Sequence, residues 1–170
     1  MLIDLSRASV RSWRADDAAS LARHADNRNV WRNLRDSFPH PYGIEDARRF
    51  LERAGKMERE TYFCIAIDDL AVGGIGYIVG SDVERFSAEI GYWLGEDFWG
   101  RGITTEALIA VTEQAIETHG LHRVFAVPYA WNAASARILE KAGYVLEGVM
   151  RRSAFKDGQV VDQFLYAFVP

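Results

Sequence analysis

The sequence has very little cysteine and no long apolar run. Its single cysteine, Cys64, cannot form an internal disulfide, so nothing indicates an oxidising compartment. No stretch approaches the roughly 20 apolar residues that a membrane-spanning helix needs. The first residues also lack the basic segment and the apolar run of a signal peptide. We therefore expect a cytoplasmic protein with no membrane partner.

Basic residues are fewer than acidic residues. The 170 residues include 20 Lys and Arg against 24 Asp and Glu, which gives a net charge of −4. This balance argues against nucleic acid as a partner, because binding to phosphates needs clustered basic side chains. Of the 4 histidines, His119 and His122 are badly spaced for a metal site and have no third ligand nearby in sequence, so we expect no metal.

The composition that remains is that of an ordinary globular protein, 49% hydrophobic and 26% charged. The length suits one domain, and no repeat or linker interrupts residues 1–170. The first part of the chain predicts a strand followed by helices. These elements are a strand at residues 7–13, a helix opened by Asp16 and Asp17, an irregular stretch with a short helix at residues 29–43, and a helix from Ile44.

The second part of the chain is rich in predicted strands. Two strands at residues 61–68 and 71–80 form a hairpin, and a third follows at residues 87–94. Later elements are a helix near Thr104, a strand at residues 122–129, a helix from Asn132, and strands at residues 144–152 and 159–169. This order indicates a mixed α/β (α+β) domain with a parallel strand pair near the centre of its sheet.

A glycine-rich turn at Phe98–Glu106 joins a predicted strand to a predicted helix. Glycines let a ligand approach the backbone closely, and the helix that follows presents unpaired N–H groups. A pyrophosphate suits such a turn. A plain strand-to-helix turn that happens to contain two glycines explains the spacing equally well.

A second helix start lies at Asn132. Asn132 is a good N-cap, Ser135 falls in the first turn, and Gly143 suits the left-handed position that ends a helix. Each residue alone is explained by helix structure. The combination of the two segments is what points to a function.

Together the two segments resemble motifs A and B of the GNAT superfamily, in the RimJ/RimL-like branch of N-acetyltransferases. Residues 39–51, 88–95 and 147–167 are similar to other segments of that branch, so the resemblance spans nearly the whole chain. It implies the GNAT fold, which is a single mixed sheet of about six to seven strands flanked by helices on both faces.

The resemblance also implies acetyl-CoA as the cosubstrate. The backbone would hold its pyrophosphate at Arg101, Gly102, Ile103, Thr104 and Thr105. Strand residues Trp93 and Leu94 would pair with the pantetheine arm. Asn132 would contact pantetheine, and Ser135 would lie near the thioester sulfur.

The implied acceptor is a primary amine: a protein N-terminus, an amino acid or a small amine. It would be lined by Arg32, Asn33, Tyr42 and the final hairpin, and it would attack the thioester directly. The amine must be neutral to attack, so a base or a chain of waters has to remove its proton. The sequence leaves the oligomeric state open, a homodimer included.

Four positions depart from the family pattern. Thr104 stands where members commonly have Gly or Ala, and Ala154 stands where some relatives have a carboxylate that could serve as a base. Trp99 stands where many members have Gln or Arg, and Leu139 stands where many have a tyrosine that protonates the departing thiolate. A hydrocarbon cannot donate a proton, so Ser135 or water must take that role. The absent tyrosine also keeps an alternative open, in which the chain is a catalytically weak CoA-binding regulatory or sensor module.

Glu89 is the candidate general base. Strand alternation places it on the opposite face from Ala88 and Ile90, and a glutamate in so apolar a strand is unusual. It precedes the segment expected to hold pantetheine, which would bring it near the amine. In the structural alternative, Glu89 pairs with an arginine such as Arg85, Arg151 or Arg152.

Two further features have weaker functional interpretations. Cys64 lies in an apolar strand without an adjacent His or Lys, which favours a buried, inert thiol over a nucleophile. Arg151 and Arg152 could meet an acidic substrate or a CoA phosphate, although a solvated strand end is the simpler interpretation.

Overall fold

The structure is a computed structural model that describes residues 1–57 and 59–170. Its strands are β1 (Leu2–Asp4), β2 (Ser9–Ser12), β3 (Tyr62–Ile67), β4 (Leu70–Val79), β5 (Ser87–Leu94), β6 (Arg123–Ala126), β7 (Val145–Lys156) and β8 (Gln159–Phe168). Its helices are α1 (Ala18–Ala25), α2 (Arg28–Trp31), α3 (Ile44–Gly55), α4 (Ile103–His119) and α5 (Ala133–Lys141). Short 3-10 helices lie at Ala15–Asp17, Asp82–Glu84 and Glu96–Phe98.

The strands form one mixed sheet in the order β1-β2-β3-β4-β5-β6-β8-β7. Strands β5 and β6 run parallel, with Ala88 opposite Val124. This confirms the mixed α/β class and the parallel pair near the centre. The sheet has 8 strands rather than six or seven, because Leu2–Asp4 adds a strand along β2. Three residues are too few to produce a readable alternation, so the sequence prediction began only at residue 7.

The chain divides into two compact units, of which the first comprises Met1–Gly76 and Tyr92–Ala107. In this unit β1, β2, β3 and β4 pair antiparallel in chain order. Asp68 and Asp69 connect β3 to β4, and both have positive φ, 49° and 66°. That conformation matches the twist of a two-residue hairpin turn. The predicted hairpin is confirmed.

Helices α1 and α3 supply most of one buried cluster in the first unit. Its residues are Ala18, Leu21, Ala25, Tyr42, Ala47 and Leu51. Half-buried aromatic residues pack against this cluster: Trp13, Phe38, Phe50 and Trp93. The helical spacing of the apolar residues in both helices is therefore the spacing of a core face.

Asp16 and Asp17 directly precede helix α1, as predicted. The helix begins at Ala18, after a 3-10 turn, and the Asp17 side chain caps no helix N–H. Instead its two carboxylate oxygens accept from the Arg11 guanidinium at 2.7 and 2.8 Å, and one of them accepts the Arg14 N–H at 2.8 Å. Both partners of the ion pair are buried. The carboxylate is drawn to the buried cation because an unpaired buried charge would be costly.

The second unit comprises Tyr77–Gly91 and Leu108–Pro170. Here β6, β8 and β7 pair antiparallel, and Asp157-Gly158 closes the β7–β8 hairpin with φ of 51° and 75°. The ladder shifts register twice, between Leu146 and Gly148 and between Met150 and Ala154. β7 extends to Lys156, beyond the predicted end at Arg152, because the second irregularity interrupts the alternation that the prediction followed.

Candidate functional site

The turn before α4 has the geometry that its glycines predict. Gly100 and Gly102 have φ of 74° and 80°, which side-chain-bearing residues rarely adopt. A Cβ built on either residue would meet no heavy atom within 4 Å. Glycine is therefore required here by backbone conformation, and the space beside each Cα is open to a ligand.

The first backbone N–H groups of α4 face the same turn. The N–H of Glu106 donates to the Gly102 carbonyl at 3.1 Å, and the three N–H groups before it precede the helical ladder. The side chains of Ile103 and Thr104 are buried, so these residues present mainly backbone at the helix start. Clustered N–H groups with the positive end of the helix dipole form a site for an anion.

Two side chains of the turn stabilise it through hydrogen bonds to backbone carbonyls. The Trp99 indole N–H donates to the Leu94 carbonyl at 2.7 Å, and the Arg101 guanidinium donates to the Asp97 carbonyl at 2.7 Å. Arg101 also lies over the Phe98 ring, 5.3 Å from its centroid. Trp99, which the sequence comparison marked as a departure, thus fixes the turn to the end of β5. This contact could not be read from the sequence, because it depends on the folding back of the turn.

A carboxylate lies one turn into α4. Glu106 accepts from both the backbone N–H and the hydroxyl of Ser6, at 2.9 and 2.6 Å. These hydrogen bonds hold the pKa of Glu106 below its ordinary value, so it is charged at neutral pH.

The end of β5 lies close against β4. The Trp93 carbonyl would be 2.5 Å from a Cβ on Gly73, and the Trp93 indole nitrogen would be 2.8 Å from one on Gly74. Both glycines are therefore needed for the close approach, which the Gly-Gly pair inside a predicted strand signals. Leu94 is buried, and Gly95 donates its N–H to the Val72 carbonyl at 2.8 Å.

The N-terminus of α5 is capped by the side chain of Asn132. The Asn132 Oδ1 accepts the Ser135 N–H at 3.1 Å, which confirms Asn132 as the N-cap. Ser135 is buried, and so is Leu139 one turn later. Gly143 follows the helix with φ of 85°, and the Tyr144 N–H returns to the Leu139 carbonyl at 3.0 Å, as in a glycine-terminated helix. Contacts of Asn132 and Ser135 with CoA stay predictions.

Glu89 is the third residue of β5 and lies opposite Phe125 of the parallel strand β6. It is half-buried, whereas its neighbours Ala88 and Ile90 are buried, so the predicted alternation is confirmed at these positions. A role of Glu89 as general base stays a prediction.

The predicted acceptor segment shows one buried and two half-buried residues. Tyr42 is 6% exposed, and burial raises its pKa to about 12. Its ring lies 4.8 Å from that of Phe38, which in turn lies 5.6 Å from Trp93. Arg32 and Asn33 are half-buried. The packing of Tyr42 therefore anchors the segment in the core, and substrate contacts by these residues stay predictions.

Two asparagines connect the start of α2 to the 3-10 helix Glu96–Phe98. The side-chain amides of Asn27 and Asn29 donate to the Glu96 carboxylate at 2.7 and 3.0 Å, and Asn27 also caps α2. These polar contacts join residues far apart in sequence, so the sequence alone gave no signal for them.

The thiol of Cys64 is completely buried, as predicted, and burial raises its pKa to about 12. Such a thiol is protonated at neutral pH and is a poor nucleophile. Within residues 1–57 and 59–170, no three His, Cys, Asp or Glu side chains are grouped as metal ligands would be. In the same part of the chain, none of the helices has both the length and the apolar character of a membrane span.

Comparison with protein families gives a direct match. Residues 7–145 match the family model described as "Acetyltransferase (GNAT) domain". The uncharacterized N-acetyltransferase YoaA of Bacillus subtilis (strain 168) is 34% identical over 98 residues, which cover 58% of this chain and 55% of that protein. The [Ribosomal protein uS5]-alanine N-acetyltransferase of Escherichia coli (strain K12) is 30% identical over 169 residues, which cover 95% of this chain and 87% of that protein.

A solved structure supports the same fold. The RimL ribosomal L7/L12 alpha-N-protein acetyltransferase, in complex with coenzyme A, superposes with a TM-score of 0.87 and 20% sequence identity. The superposition covers 99% of this chain and 98% of that one. At this level of identity the likeness establishes the fold.

Proposed function

This chain belongs to the GNAT acetyltransferase family, and we propose that it transfers the acetyl group of acetyl-CoA to a primary amine. The observation that carries the proposal is the turn before α4. Gly100 and Gly102 have positive φ and open space beside them, and the first N–H groups of the helix lie next to them. These are neutral donors in the arrangement that a pyrophosphate requires.

The turn before α4 and the end of β5 would hold the phosphate and pantetheine parts of the donor. Backbone N–H groups from Arg101 to Thr105 would hold the pyrophosphate, while Trp93 and Leu94 would lie along the pantetheine arm. Trp99 fixes the carbonyl of Leu94, so the strand end and the turn keep a constant relative position. When bound, acetyl-CoA supplies an acetyl group activated as a thioester.

Glu89 and Ser135 are the residues that would move protons. A protonated amine has no lone pair for attack, and Glu89 would remove its proton directly or through a water. Ser135 would contribute a hydroxyl near the sulfur, while Leu139 has no proton to donate and is buried. Asn132 would contact pantetheine in addition to capping α5.

The proposed acceptor is the N-terminal amine of a protein or peptide. The relative from Escherichia coli that aligns over 95% of this chain is named for an alanine of ribosomal protein uS5, which favours a polypeptide acceptor here. Free amino acids and small amines are the alternatives within the same reaction class.

A panel of amines tests the activity. Purified protein with acetyl-CoA is offered peptides with N-terminal Ser or Ala, free amino acids and a polyamine, and CoA release is followed together with the mass of the product. We expect CoA release above the hydrolysis rate and an acetyl group on one class of acceptor. A protein that binds acetyl-CoA and releases no CoA with any amine would instead be the regulatory or sensor module.

The Glu89→Gln variant tests the base. The variant keeps the shape of the side chain and cannot accept the amine proton, so kcat/KM should fall about 100-fold near pH 7. Part of the loss should be recovered at high pH, where the amine is already neutral. Glu113→Gln, at an exposed position of α4, is the matched control. A folded Glu89→Gln enzyme with a normal rate and pH profile would assign Glu89 a structural role.

A further inference from the structure

The β7–β8 hairpin exposes apolar side chains that a folded domain normally covers. Phe155 and Val160 are cross-strand partners near its tip, and they are 67% and 51% exposed. Val149 and Met150, further along β7, are exposed as well. Large exposed apolar side chains gathered on one element mark an interaction surface more often than an ordinary solvent face.

An irregularity in β7 separates these two exposed pairs. The register shifts between Met150 and Ala154, and Arg152 within it has φ of 53°, which is uncommon for a residue with a side chain. The Arg152 N–H donates to Asp162 Oδ1 at 2.6 Å, and the Ser153 hydroxyl lies 3.0 Å from Gln163 Oε1. A bulge of this kind redirects side chains out of a strand, and here the redirected side chains are basic.

The charges on the hairpin are not balanced at its surface. Glu147 is paired with Arg123 at 2.5 Å, and the Asp162 carboxylate accepts the Arg152 backbone N–H. Arg151 and Arg152 are exposed, and within residues 1–57 and 59–170 neither guanidinium has a carboxylate within 4.0 Å. The bulge therefore presents two positive charges beside apolar side chains, although the whole chain has a net charge of −4.

Hydrogen bonds connect β8, opposite the bulge, to the segment that precedes α5. The Asp162 carbonyl accepts the Ala130 N–H at 2.9 Å, and the Pro128 carbonyl accepts the Phe164 N–H at 2.9 Å. Two residues after Ala130, Asn132 caps the helix that contains Ser135. The basic bulge is thus held next to the segment that, in the proposed function, lies at the thioester.

We infer that the β7–β8 hairpin docks an acidic segment of the polypeptide whose N-terminal amine is acetylated. The inference rests on the proposed function. Arg151 and Arg152 would meet carboxylates that follow the acceptor amine. Val149, Phe155 and Val160 share one face of the hairpin by their pairing register and would contact the apolar residues of that segment. Charge complementarity favours this occupant, because carboxylates match the two guanidiniums that lack a carboxylate partner.

The test compares three peptides in steady-state kinetics. One has N-terminal Ser or Ala followed by a run of Glu, the second has Gln in place of each Glu, and the third has Lys. The enzyme variants are wild type and Arg151→Gln combined with Arg152→Asn, since asparagine tolerates positive φ. Arg85→Gln combined with Lys141→Gln removes the same number of charges at exposed positions of the same unit, as the control.

We expect wild type to prefer the Glu peptide through a lower KM, and the hairpin variant to lose about tenfold in kcat/KM for that peptide alone. The preference should weaken with added salt, and the control should retain it. Equal rates with the Glu and Gln peptides in wild type would overturn the inference. A hairpin variant with a raised KM for acetyl-CoA would also overturn it, since the arginines would then bind the donor. So would a wild-type dimer that the variant converts to a monomer, since a second copy would then cover the hairpin.

The inference and the proposed function can fail separately. Binding of each peptide to the protein is measured by fluorescence anisotropy without acetyl-CoA. If the Glu peptide binds through the arginines and no amine is ever acetylated, the docking surface stands and the proposed function falls. If amines are acetylated without regard to peptide charge, the proposed function stands and the docking surface falls.

Discussion

The chain contains two helix starts that the GNAT resemblance assigns to the same cosubstrate, and they are built differently. At the start of α4, Gly102 has no side chain to serve as a cap, and its φ of 80° leaves open space beside the first N–H groups. At the start of α5, Asn132 accepts the Ser135 N–H at 3.1 Å. In the proposed function, the first start offers its N–H donors to a ligand, whereas the second satisfies one donor with its own side chain. The residue type at the cap would then decide whether a helix start binds an anion or is satisfied within the chain.

The largest effect should come from a change at the first start. Gly102→Val should weaken acetyl-CoA binding about 100-fold, because a β-branched residue disfavours φ of 80° and its side chain fills the ligand's space. Calorimetric titration of the folded variant measures this. Gly120→Val is the control, since Gly120 also has positive φ, 60°, and no neighbour within 4 Å of its Cβ. Equal losses of affinity in both variants would mean that strain, rather than the turn, controls binding.

A smaller effect is expected at Ser135, within the second start. Ser135→Ala should lower kcat about tenfold at saturating acetyl-CoA, because the buried hydroxyl is the proposed proton donor to the thiolate. The free energy of unfolding should change little, since the helix cap uses the backbone N–H of Ser135. A normal kcat would leave the second start with a structural role only and would sharpen the contrast with the first.

The smallest effect concerns the cap itself. Asn132→Ala should lower the free energy of unfolding by about 1 kcal/mol, as loss of a capping side chain usually does. Urea denaturation measures this, and Asn132→Ser, which restores a capping oxygen, should recover most of the loss. If instead both variants keep full stability and lose affinity for acetyl-CoA, Asn132 acts mainly on the ligand, and the two starts are more alike than their geometry suggests.

Much of the fold could be predicted because its local signals are strong. The spacing of apolar residues predicted α3, and Gly143 predicted the end of α5. The pair Asp68-Asp69 predicted the turn of the β3–β4 hairpin. The misses have physical causes. Leu2–Asp4 is too short to show a pattern, and the bulge in β7 breaks its alternation. The buried ion pair of Asp17 with Arg11, in an earlier strand, had no local signal in the sequence.

The site was predictable where it depends on backbone conformation. Positive φ at Gly100 and Gly102 is required by residue type, so the turn was visible in the sequence. The hydrogen bond from the Trp99 indole to the Leu94 carbonyl was not predictable, because the sequence around a tryptophan does not show what its indole N–H will contact. The hydrogen bonds of Asn27 and Asn29 with Glu96 were hidden for the same reason, since they span nearly 70 residues, with separations of 69 and 67.

In the proposed function, the two hydrogen bonds between Ser6 and Glu106 affect the rate at which CoA leaves the start of α4. A carboxylate in the first turn of α4 interacts favourably with the positive end of the helix, and Ser6 keeps it ionised. If acetyl-CoA binds at this turn as proposed, the same charge would oppose the arrival of its pyrophosphate at that helix end and hasten the departure of CoA. The hydrogen bonds from Ser6, near the beginning of the chain, would then help to set how long CoA resides on the protein.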